Sequence, residues 1–179
     1  MRTMQDVQLH IRWAIRADMP SVFAIDRELF PKSRFFTPEG NRIAAPNNQI
    51  MFVAAKGNEV VGYMVYRFYR RRISLLCIAV DPLHQGTGVG KAMLEKVKAK
   101  LNPAHRDRIH VEVPLEQLGV MRFFSSQGFE SMFAVNGPGG EPASHVLMRY
   151  SYQPPQPEPL SPQSLWRRFI CFLFKCEDE

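Results

Sequence analysis

The chain has 179 residues, 45% of them hydrophobic, with 23 lysines and arginines against 17 acidic residues and a formal charge of +6. This is enough for one compact domain with some tail to spare, and the charge favours acidic partners such as phosphates or anionic lipid. Three cysteines in no metal-like or paired spacing, no apolar signal-peptide core and no run of about 20 apolar residues argue against a disulfide framework, a zinc site, export and a membrane span.

VQLHIRWAI (7–15) alternates and carries β-branched and aromatic residues, which predicts a strand. A helix follows in ADMPSVFAIDRELF, with Asp18 as its cap, Pro20 in its first turn, and Val22, Ile25 and Leu29 at helical spacing. Residues 31–49 are punctuated by Pro31, Pro38, Gly40 and Pro46 and read as an irregular, substrate-facing loop, with a helical turn starting at Thr37.

Residues 50–80 hold three strands, the first two joined by a hairpin turn at Lys56-Gly57-Asn58-Glu59. The third, ISLLCIAV, is apolar on both faces and belongs in the middle of its sheet. A helix from Gly88 to Leu101 buries Val89, Met93, Leu94, Val97 and Leu101 and stops at Asn102-Pro103. RIHVEV (108–113) is a strand. Residues 116–129 form a helix through Leu118, Met121 and Phe124 that ends at Gly128. A last strand pair, 129–135 and 145–152, flanks Asn136-Gly137-Pro138-Gly139-Gly140. The order of elements describes an α/β or mixed α+β single domain.

The composition divides the chain into a domain at 1–152, a proline-rich spacer at 153–163 and a tail at 164–179. In the tail, Leu165, Trp166, Phe169, Phe172 and Leu173 share one helical face and Arg167, Arg168 and Lys175 another. Three fates suit such a segment: a membrane surface, a groove on a partner protein, or its own domain. The location expected for the chain is the cytoplasm, with this tail as the candidate for membrane association.

QGTGVGK (85–91) sits between the apolar strand and its helix. Glycines at such a junction leave backbone N–H groups free at the positive end of a helix, a cradle for an anion. The Walker spacing fails, because Gln85 stands where its first glycine belongs and Ala92 follows Lys91. The dinucleotide spacing fails because Gly86, Gly88 and Gly90 alternate.

What fits is Q-x-x-G-x-G at Gln85, Gly88 and Gly90, after IAVDP and before KAMLEKV. Here the chain resembles the GNAT-type N-acetyltransferases, whose signature is (R/Q)-x-x-G-x-(G/A). Within them the order IAVDP, QGTGVGKAMLEKV, HVEV and FFSSQGF is most similar to the ribosomal-protein N-terminal alanine acetyltransferases. The resemblance covers residues 9–150, strongest from 73 to 130. It implies a GNAT-like domain with a mixed, mostly antiparallel sheet of six or seven strands, splayed at the central strands and flanked by about four helices. It also implies acetyl-CoA as cosubstrate, with no metal. The expected CoA contacts are Ile78, Ala79, Val80, Gln85, Gly86, Thr87, Gly88, Val89, Gly90 and Lys91, together with Gln117 in place of the family's asparagine.

An amine must lose its proton before it can attack a thioester, and the resemblance puts the base at Glu112. The residues alone also allow a buried ion pair between Glu112 and Arg108 or another arginine, or an outward-facing edge position. His110 shares its strand face, as a proton relay or as a surface histidine. The family's general acid, a tyrosine, falls on Phe124, which leaves water, Ser125 or Tyr63 to protonate the leaving thiol and implies a slower enzyme. The acceptor expected is a peptide N-terminus or a small amine, because an α-amino group is easier to deprotonate than a lysine. Met132, Phe133 and the 136–140 loop are candidate pocket walls. Arg67, Arg70, Arg71 and Arg72 form a solvated face, or meet the 3′-phosphate of CoA, an acidic peptide or RNA; nucleic acid ranks last. The rival class is a CoA-binding regulatory or scaffold protein that has lost turnover.

Overall fold

The computed structural model describes residues 8–30, 49–136 and 143–154. The helical turn expected at Thr37, most of the 136–140 loop, the spacer beyond residue 154 and the tail lie outside the described residues. Among the described residues, no helix is long and apolar enough to cross a membrane.

Seven strands form one sheet: β1 (Leu9–Trp13), β2 (Gln49–Lys56), β3 (Glu59–Phe68), β4 (Arg72–Val80), β5 (Arg108–Pro114), β6 (Glu130–Asn136) and β7 (Ala143–Ser151), in the spatial order β1-β2-β3-β4-β5-β7-β6. Every neighbouring pair is antiparallel except β4 and β5, which run parallel. That exception follows from the connection between them, which carries α2 (Val89–Lys98) and returns the chain to the same end of the sheet. The β2–β3 hairpin turns on Gly57 and Asn58, with Gly57 at φ 59°.

The strands alternate sides as their patterns require. Ile73, Leu75, Ile109, Val111, Val113, Val146 and Met148 face α2 and α3 (Leu118–Ser126), where Met93, Leu94, Val97 and Phe124 complete the larger core. On the other side, Val53, Tyr63, Val65 and Ala79 pack against Val22 and Ile25 of α1 (Met19–Leu29). Each large apolar side chain fully removed from water in these layers contributes about 1.5–3 kcal/mol.

Four expectations are corrected. Among the described residues there are three α-helices and two short 3₁₀ turns, fewer than the four helices expected. Asp18 occupies the cap position of α1 without capping it: its buried carboxylate takes two hydrogen bonds from the Arg12 guanidinium, at 2.6 and 2.8 Å, and one from the Ile15 N–H at 2.8 Å. Those charged donors hold the Asp18 carboxyl below the usual carboxylate range. Leu118, expected on the buried face of its helix, is 60% exposed. Finally, Arg70–Arg72 stand at the opposite end of β4 from the glycine stretch. Nine residues of strand, about 30 Å, take them out of reach of phosphates held there.

Candidate functional site

β4 and β5 pair only from Arg72↔Arg108 to Leu75↔Val111, yet β4 continues to Val80 and β5 to Pro114. The separation begins where β4 carries an extra residue. Val65 pairs with Cys77 and Tyr66 with Leu75, so Leu76 bulges out of the ladder. Beyond it, β4 keeps β3 on one side and presents an unpaired edge on the other. The wedge between the two strands is an open cleft in two connected parts, about 700 Å³ toward the glycine stretch and about 260 Å³ toward β5. Phe30, Ile78, Gln117 and Val120 line both parts.

The larger part is walled by Ile78, Ala79 and Val80, by Gln85, Gly86 and residues 88–91 of the loop and α2, and by Gln117 at the start of α3. Thr87 is not part of this wall; its hydroxyl donates to the His84 carbonyl at 2.7 Å and holds the turn. Gln85 also supports the loop, donating from Nε2 to the Val80 carbonyl at 3.1 Å. Asp81 accepts from the Leu83 N–H at 2.8 Å. His84 lines the cleft as well, a residue that the motif reading passed over.

Among the described residues, the N–H groups of residues 86–91 make no well-formed hydrogen bond; the first amide of α2 to make one is Ala92, which donates to the Gly88 carbonyl at 3.0 Å. Free N–H groups at a helix start, with Lys91 beside them, have the chemistry to hold an anion. Gly86 and Gly88 have φ values of 74° and 86°, and a Cβ added to either would meet nothing within 4 Å. Their glycines serve conformation and open approach. Gly90 differs, because its missing Cβ is replaced by the ring of Phe123, 3.2 Å from the position a Cβ would take. There glycine serves the packing of α2 on α3, so the three glycines do not share one purpose.

The smaller part contains Glu112, with Cys77, Pro114, Phe124 and His145 around it. Glu112 is exposed to the cleft, not buried in the strand. The ion pair with Arg108 is absent, because Arg108 is bound to Asp107 at 2.7 and 2.9 Å. Phe124 is 1% exposed, packed on Phe129 with ring centroids 5.0 Å apart.

Neither hydroxyl proposed to replace the missing tyrosine lines the cleft. Ser125 is exposed on α3, and Tyr63 is fully buried with its hydroxyl donating to Asp26. Cys77 donates its thiol hydrogen to the Tyr63 oxygen at 3.4 Å, and burial pushes this thiol up to about 12. His145, with Nδ1 2.8 Å from the Ser144 hydroxyl, is a further cleft residue that sequence reading missed. The alternation of SHVLMRY could have found it, since His145 shares a face with Leu147, the cross-strand partner of Glu112.

The family model described as "Acetyltransferase (GNAT) family" matches residues 19–129. No curated protein sequence matches the chain. Among solved structures, NAA60 of Arabidopsis thaliana in complex with a bisubstrate analogue is similar over 80% of this chain and 98% of its own, at 15% identity and a TM-score of 0.66. Ard1 of Thermoplasma volcanium is 20% identical over 82% of this chain and 99% of its own, with a TM-score of 0.66. The ribosomal-protein-S18-alanine N-acetyltransferase of Escherichia coli is 16% identical over 85% and 99%, with a TM-score of 0.61. At these identities the likeness is one of fold.

Proposed function

The chain belongs to the GNAT acetyltransferase family, and from that premise we propose that it moves an acetyl group from acetyl-CoA directly to a primary amine, a peptide N-terminus or a small amine, with Glu112 as the base. The observation that carries this reading is the splay between β4 and β5, which joins N–H groups with no well-formed partner among the described residues, at one end of a cleft, to a solvent-facing carboxylate at the other.

Acetyl-CoA would supply the acetyl group, and CoA would leave as a thiolate that water protonates. The chain's own residues do the rest. The amides of 86–91 and the Lys91 ammonium bind phosphate oxygens, and the free edge of β4 beyond Leu75 offers backbone donors and acceptors to the extended arm of the cosubstrate. Glu112 takes the proton that the amine gives up as its nitrogen bonds to the acetyl carbon and the carbon–sulfur bond breaks. Holding both reactants in one wedge supplies the proximity that the reaction needs.

Direct attack fits better than a covalent acetyl-enzyme. Cys77 is the only thiol lining the cleft among the described residues, and burial keeps it protonated and therefore a poor nucleophile.

Phe124 favours a second reading, a protein that binds CoA without turnover, since no tyrosine lines the cleft among the described residues. Isotope-labelled acetyl-CoA incubated with peptides, polyamines and small amines separates the two. A labelled amine supports the enzyme. Acetyl-CoA binding without any labelled product supports the second reading.

A further inference from the structure

The cross-strand register places Arg67 of β3, Ser74 of β4, His110 of β5, Arg149 of β7 and Glu130 of β6 in one row across the sheet. The row lies on the Glu112 face. Ile109 and Val111 point into the larger core, so His110 and Glu112 point the other way; Met148 does the same for Arg149, and Ile73 and Leu75 for Ser74. Glu112 belongs to the next row, with Leu147 and the 60%-exposed Phe133.

Four buried side-chain nitrogens lack a hydrogen-bond partner among the described residues, and three of them, Arg67 Nε, His110 Nε2 and Arg149 Nε, fall on this row. Leaving such atoms unpaired is unfavourable, and an anion over the row would offer them partners. Among the described residues, Arg67 donates to the Tyr69 hydroxyl at 3.3 Å and has no carboxylate partner, and Arg149 makes one long ion pair, at 4.0 Å, with Glu130. Outside the row, Asp107 pairs closely with Arg108, at 2.7 Å.

We propose that this row is the acceptor's second anchor, binding a carboxylate carried about 7 Å from the amine. Two residues of strand separate His110 from Glu112, about 6.7 Å. An extended peptide covers that distance in two residues. With its free amine at Glu112, its second or third side chain reaches the row, and the apolar surface of Leu147 and Phe133 lies between. The acceptor class is therefore an acidic amine, such as a peptide with Asp or Glu close behind its N-terminus. The inference rests on the acetyl-transfer reading for the group held at Glu112 and on the register alone for the anion.

The test is calorimetric binding of tripeptides with free N-termini to the CoA-loaded full chain. Matched sets carry Asp or Glu, Asn or Gln, or Lys at the second or third position, and a free acidic amino acid forms the small-molecule arm. The wild type is expected to bind acidic peptides at least about tenfold more tightly than their amide counterparts. The double variant R67Q/R149Q should lose that preference while keeping its CoA affinity, and R67K/R149K should retain part of it. A free amino acid that binds as tightly as the peptides assigns a small-molecule acceptor; peptide-only binding assigns a chain terminus. Equal binding of acidic and neutral peptides, or a preference that survives in R67Q/R149Q, overturns the proposal even where acetyl transfer is brisk. A preference that persists without acetylation of any amine supports the row and counts against the transfer reading.

Discussion

Gly62 on β3 faces Val80 across the ladder, beside the strand end that forms one wall of the larger cleft. A Cβ added there lies 2.8 Å from the Ala79 carbonyl oxygen, 3.3 Å from Met93 Cε and 3.4 Å from Val80 Cα. The methionine can turn aside, but the carbonyl is backbone and can yield only if the end of β4 moves. Relief takes roughly half an ångström, pushing Ala79 and Val80 toward the cleft, and overpacking of this kind costs about 1–3 kcal/mol. For a chain of this size, each kcal/mol lowers the melting midpoint by about 2–4 °C. Gly62→Ala should therefore melt about 2–12 °C below the wild type and gain less stability than the wild type from a fixed concentration of acetyl-CoA, since ligand stabilisation follows the ratio of concentration to Kd. Scanning calorimetry with and without acetyl-CoA reads both effects. A midpoint within 1 °C of wild type and an undiminished ligand shift would refute the reasoning.

Gly88→Ala places a side chain at φ 86° with open space around it, so about 1–2 kcal/mol of backbone strain is expected, with weaker acetyl-CoA binding; unchanged affinity would show that the cradle is not used. Burial raises the Asp26 carboxyl above its usual range, so the folded state holds a proton that the unfolded chain releases. Stability should fall as pH rises from about 4 through that raised value, and urea titrations of Asp26→Asn should lack this slope. Phe124→Tyr restores a phenolic proton at the cleft wall and should leave acetyl transfer unchanged or raise it by up to about 10²-fold; a marked fall with the fold intact contradicts the role assigned to this position.

The strands, their hairpin and the helix after the glycines were legible because each follows from local periodicity or turn chemistry. ISLLCIAV, apolar on both faces, lies fourth of seven strands. The glycine motif picked out one wall of the cleft for the same local reason. What escaped depends on partners distant in sequence. The splay itself was expected from the family resemblance; the place where it opens, where β5 stops pairing with β4 beside the bulge at Leu76, is contained in no window of sequence. The apolar neighbours of Glu112 left a buried ion pair and an outward-facing position both open, and the fold decides for exposure to solvent. Asp26 and Tyr63 are 37 positions apart, and the hydrogen bond that removes Tyr63 from the list of proton donors is visible only in the fold. Arg67 was grouped with Arg70–Arg72, its neighbours in sequence, and only the register sets it in a row with His110 and Arg149.

The most direct measurement is single-turnover acetyl transfer by wild type and Glu112→Gln, each saturated with acetyl-CoA and mixed with an amine that the wild type accepts. Loss of a general base at the reacting nitrogen predicts a rate lower by about 10²–10⁴ with acetyl-CoA affinity unchanged. An E112Q rate within threefold of wild type would contradict the assignment of Glu112 as the base.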